Sequence, residues 1–81
     1  MTFPYNDTNP FTKIYDVTPS DSVDLDPPAR SLFLGTAGDI KITTVEGTTA
    51  TMVNHPAGYL VGEVTRVWAT GTTADDINAL V

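Results

Sequence analysis

The chain contains no cysteine. No disulfide can brace its core, and no thiolate zinc site is possible. It has one histidine, His55, which excludes a multi-histidine metal site within a single copy. Lysine and arginine together number 4 against 10 aspartates and glutamates, for a net charge of −6 and a pI near 4.2. A chain so short of cations is a poor match for nucleic acid or an anionic membrane, since both are bound through basic surfaces. No apolar run approaches the roughly 18 residues of a spanning helix. The N-terminal stretch also lacks the charged and apolar regions of a secretory leader. Size is limiting too: a chain of 81 residues forms one small domain, and such domains bury only about 60% of their unfolded surface.

Threonine is what the sequence has most of, at 14 residues. Threonine and valine suit a pleated, half-buried surface and are mediocre helix formers. Charged residues are only 17% of the chain, against about a quarter in an ordinary soluble domain. A weakly charged, threonine-rich surface costs little to cover, which favours a thin core completed by oligomerisation. The fold class read from this pattern is all-β: a small sandwich or barrel of about six or seven short antiparallel strands with an extended N-terminal arm.

Residues 1–29 form that arm. They hold five of the six prolines and set five aspartates against the single Lys13. Phe3, Tyr5, Phe11 and Tyr15 are interspersed, so the arm carries apolar anchors and has something to lie on, its own barrel or a neighbouring subunit. Residues 30–81 form the β domain. Glycine- and proline-containing segments divide it into strands at 31–34, 40–44, 49–53, 59–70 and 77–81. Residues 40–53 read as a hairpin turning at Glu46-Gly47-Thr48. Gly35 to Asp39 reads as a loop, and Gly62 as a bulge or bend in the longest strand. Thr73-Ala74-Asp75-Asp76 carries a helix-start signal but leaves room for no more than a turn. The expected core is Leu32, Leu34, Ile40, Ile42, Met52, Val61, Val64, Val67, Ile77 and Leu80.

Few residues offer chemistry. His55 lies in a turn with no nucleophile at motif spacing. Asp21, Asp24 and Asp26 are close enough to suggest calcium, but they lack the alternate ligands, central glycine and terminal glutamate of a calcium loop; a solvated acidic arm is the plainer reading. Gly35-Thr36-Ala37-Gly38 lacks the lysine and hydroxyl residue of a phosphate loop. Asp75 and Asp76 are neighbours that point apart, and Glu63 and Arg66 are on opposite faces of a strand. No catalytic residue, cofactor or metal site is expected. Trp68, Phe33 and Tyr59 could stack on a sugar, but strand aromatics are more often core or interface anchors. With Phe3, Tyr5, Phe11 and Tyr15 they are the expected interface residues.

Four phrases stand out as a set: Asp16-Val17-Thr18-Pro19-Ser20-Asp21-Ser22, the stretch from Arg30 through Leu34-Gly35-Thr36-Ala37-Gly38-Asp39 to Ile40, Asn54-His55-Pro56-Ala57-Gly58, and the stretch from Arg66 through Ala69-Thr70-Gly71-Thr72-Thr73-Ala74-Asp75-Asp76-Ile77 to Leu80. Together they resemble the small spike base proteins of tailed phages and gene transfer agents, over about residues 14–81. By that resemblance the seven aromatic interface residues are capsid or subunit contacts. The resemblance implies a non-enzymatic virion protein, located on the capsid surface and assembled in the bacterial host cytoplasm. It further implies a homo-oligomer, a pentamer in preference to a trimer, bound to the major capsid protein on one side and to a spike or fibre protein on the other. Two other readings remain open from the residues: a capsid cement protein at three-fold positions, and a host-glycan-binding module.

Overall fold

Beyond residue 28, β-branched and other apolar residues alternate with polar ones between glycine-bearing turns, and this is where most of the strands form. A computed structural model describes residues 12–81. These residues form six strands: β1 (Ile14–Asp16), β2 (Ala29–Thr36), β3 (Gly38–Thr44), β4 (Thr49–His55), β5 (Gly58–Val67) and β6 (Asp75–Leu80). They make one antiparallel sheet in the order β1-β6-β2-β5-β3-β4. The fold is therefore all-β, and no helix occurs among the described residues.

Strand register sorts the side chains, because residues directly opposite one another share a face. Tyr15, Ala79, Leu32 and Leu60 form one row across β1, β6, β2 and β5. All four point inward; Ala79, Leu32 and Leu60 are buried, and Tyr15 packs half-buried against them. Ile77 and Leu34 lie in the next inward row. Ile40, Ile42, Val64 and Val67 continue the cluster on the other half of the sheet, with Val17, Ala29 and Ala74 closing it.

β2 and β3 are on opposite sides of β5, yet only Ala37 separates them. The sheet must curl tightly to allow this. The expected loop at Gly35 to Asp39 is thus a corner between two strands. Its glycines are there for close approach. A Cβ on Gly38 would meet Ala74 N at 2.7 Å, and one on Gly35 would meet the Asp76 Cβ at 2.8 Å.

Two expected core residues are not in the core. Val61 is 86% exposed, because Leu60 and Val64 hold the inward positions of β5. Gly62 lies within a register shift against β2, where three steps on β5 oppose two on β2. The inward face then changes parity at Thr65-Arg66, opposite a second shift between Thr43 and Thr44. This second shift brings Val67 inward. Met52 points inward opposite Ile40, but no described element packs over β4, and it is 42% exposed. The expected turn at Thr73 to Asp76 is also displaced. The chain turns at Ala69–Thr72, and β6 already starts at Asp75, with Asp76 at φ 54. The strand expected to reach Thr70 ends at Val67 for the same reason.

Residues 17–28 run along the sheet. Val17 N donates to Ile77 O at 2.9 Å, Ser20 N to Val67 O at 2.9 Å and Leu25 N to Thr65 O at 2.7 Å. The last two bonds occupy the flank of β5 beyond the end of its pairing with β2.

Candidate interaction surface

The face opposite the core is built by the residues between the inward ones. Ile14, Leu80, Ser31 and Val61 form one row across four strands on this side; Leu80 is buried as expected, at 3% exposed, so the open part of the row is Ile14 and Val61. Asp16, Asn78, Phe33 and Tyr59 form the next. Tyr59 is 64% exposed and meets Phe33 edge to face, with ring centroids 5.1 Å apart. Ile14 and Val61 are exposed beside them. The two rings hold each other in place while leaving Tyr59 open to solvent. Val61 belongs to this patch, as the alternation from Tyr59 would have indicated.

The other expected contact aromatics are elsewhere. Tyr15 lies under the sheet, and its hydroxyl donates to Pro27 O at 2.6 Å. Burial and then the Asp26 carboxylate push its phenol above the ordinary value. Trp68 lies over the outward side of β3, where its Nε1 donates to Thr43 Oγ1 at 2.8 Å. Lys41 Nζ and the Arg66 guanidinium carbon lie 4.7 and 4.9 Å from its ring centroid. Cations at this range are attracted to an indole face. Phe3, Tyr5 and Phe11 lie outside the described residues.

A second surface is β4. All but its last residue are exposed, including Met52 and Val53. Among the described residues it pairs with β3 alone and ends the sheet.

The acidic residues have structural partners. Asp24 Oδ1 accepts from Arg66 Nε at 2.7 Å. Asp21 accepts from Thr70 N at 2.8 Å and from Thr70 Oγ1 at 2.5 Å. Asp76 Oδ2 accepts from Thr36 Oγ1 at 3.0 Å, and Asp16 Oδ1 from Asn78 Nδ2 at 2.8 Å. A shallow groove of about 380 Å³ runs past Asp16, Asp75 and Asp76. No three His, Asp or Glu side chains converge as metal ligands among the described residues. His55 Nδ1 is 2.7 Å from Pro56 O, within its own turn.

The Thr70 hydroxyl, then the Thr70 amide, hold the Asp21 carboxyl below the ordinary aspartate value of 3.8. A lowered folded pKa stabilises the native state above the unfolded pKa, and that contribution is lost as pH falls through the folded value. Asp21→Asn should therefore flatten the acid limb of a melting-temperature profile between about pH 5 and 2. Superimposable profiles for the two proteins would show that Asp21 contributes nothing to acid stability.

The described residues thus make an all-β domain whose uncovered apolar surfaces lie on its outer face and its β4 edge. A solved structure, the capsid of a native gene-transfer-agent (GTA) particle computed with C5 symmetry, contains a chain similar to this one. The similarity has a TM-score of 0.79 and 35% sequence identity, and covers 89% of this chain and 84% of that one. The chain belongs to the capsid-related proteins of gene transfer agents and phages. No family model matches the sequence, and the search of curated proteins gives no match.

Proposed function

We propose that this protein is a homo-oligomeric spike base or decoration protein on a virion capsid surface, linking the capsid to a fibre. The observation that carries this is the similarity to a capsid chain across 89% of the sequence. Its surfaces support the reading. Exposed Tyr59 and Val61 on the outer face are well suited to a broad apolar contact with the capsid or the fibre, which works by excluding water rather than by making a bond. The main chain at the corner glycines and the carboxylates of Asp21, Asp24 and Asp76 are all engaged in holding the fold.

The glycan-binding alternative loses support from the same geometry. Trp68, its best stacking platform, has two cations over its ring and its N–H committed to Thr43.

Copy number tests the proposal against the cement reading. Quantitative mass spectrometry of purified particles should find about five copies per decorated vertex, as closed cyclic symmetry at a five-fold axis requires. Many tens of copies per capsid face would replace the spike base with a cement protein. Absence from particles would remove the virion role altogether.

A further inference from the structure

We infer that β4 is the surface through which one copy of this chain binds the next in the assembled oligomer. The inference rests on the homo-oligomeric reading above and names the contact that builds it.

Three observations meet on this strand. The first is that the core face does not stop where its cover stops. Met52 and Ala50 are opposite Ile40 and Ile42 on the inward side, yet Ile40 is 0% exposed and Met52 is 42% exposed. The inward layer is one strand too short to cover the sheet. The second is the edge itself. Among the described residues, the seven residues of β4 have no strand on their outer flank. Free edges are ordinarily protected by charge, proline, shortness or a covering segment. The opposite edge of the sheet, β1, is protected in this way: it is three residues long and carries Asp16. The third is charge. β4 reads Thr-Ala-Thr-Met-Val-Asn-His, and it is the one strand of the six without Asp, Glu, Lys or Arg.

The charge pattern chooses the occupant. Each copy carries a net charge of −6, so two copies repel across most of their surfaces. An uncharged strand is where such copies can meet with the least repulsion and the least desolvation. A basic partner would instead gain most from the carboxylate-bearing surfaces, and β4 offers it nothing. The occupant is therefore a second copy of this chain. In a ring of odd order the contact must be heterologous, because a self-complementary patch generates only two-fold pairs. β4 then meets a different surface of its neighbour, and β4 does not pair with β4.

Native mass spectrometry of the full chain across a dilution series tests this with three variants. Met52→Lys and Val53→Lys place a charge on either face of the strand at exposed positions, so neither requires the core to rearrange. Each should shift the dilution midpoint of the oligomer by about tenfold or more, because an ammonium would be buried at the contact without a partner. Val61→Lys, on the outer face, should leave the oligomer intact. Circular dichroism establishes that each variant is folded, and Val53→Lys carries the test if Met52→Lys is not. Oligomers of wild-type mass and stability in both β4 variants would overturn the assignment while leaving the oligomeric reading in place. Dissociation by Val61→Lys alone would move the contact to the outer face and overturn it equally. A wild-type protein that stays monomeric at every concentration would overturn both.

Discussion

Leu32→Ala should destabilise the domain by about 3 kcal/mol, within the range of roughly 2–5 kcal/mol for emptying a fully buried leucine site. Leu32 is completely buried. Its register places it between Ala79 on β6 and Leu60 on β5, in the middle of the row that crosses four strands. Strands on both flanks are fixed by their own ladders, so the gap cannot close by a small shift of one neighbour. The effect is large relative to the whole. Stabilities of about 0.05–0.15 kcal/mol per residue leave a chain of this size only several kcal/mol in total. Urea denaturation should show a much lower midpoint with an unchanged slope. A loss below about 1 kcal/mol would mean that this row collapses readily and is not the centre of the core.

Gly38→Ala should be nearly as damaging, while Gly62→Ala should be harmless. A Cβ on Gly38 would lie 2.7 Å from Ala74 N and 2.8 Å from Thr73 Oγ1. The nearest atom is backbone, and it is tied down: Ala74 N and Thr73 N both donate to Asp39 O, at 3.0 and 2.8 Å. Accommodating the methyl would pry the 72–74 segment from the corner between β2 and β3, at a cost of about 1–3 kcal/mol or more. Gly62 has nothing within 4 Å of an added Cβ and no positive φ. There the substitution should be neutral or stabilise by up to about 1 kcal/mol, by restricting the unfolded chain. Thermal melts of the two variants side by side measure both effects. Equal melting temperatures would show that the corner tolerates displacement and that its glycine is incidental.

The contrast between these glycines marks what was legible in the sequence. β2 and β3 could be read from alternation alone: Leu32 and Leu34, then Ile40 and Ile42 about Lys41, all inward as expected. The hairpin about Gly47 could be read from its turn residues. β5 could not be read in full. Its inward residues are Leu60, Val64 and Val67, and no fixed period connects them, because two register shifts fall within ten residues. Gly62 signalled the first shift. Nothing local signals the second, which depends on how Thr43 and Thr44 meet Arg66 and Val64. Met52 shows a different limit. Its side was readable from the hairpin register, but whether anything covers it is a property of the sheet as a whole. The aromatic residues divide likewise. Phe33 and Tyr59 are 26 positions apart in the sequence and become neighbours only through the β2–β5 register. Tyr15 looked like a surface anchor, yet its place in the β1–β6 ladder turns it inward.

The order of the strands also bears on how the chain reaches its fold. β6 lies between β1 and β2, and its side-chain bond from Asn78 to Asp16 spans 62 residues. Such a closure is entropically costly and comes late, as long-range pairings do. The β3–β4 hairpin closes over a turn in which Thr44 and Thr48 are already hydrogen-bonded, a local event of microseconds. The edge assigned here to subunit contact is therefore formed in a chain whose core is still open. Its lack of gatekeeping charge, useful in the finished assembly, leaves nascent copies able to pair before β6 is seated. The concentration of unfolded chains thus competes with the slow closure of the sheet in setting the yield of correctly assembled protein.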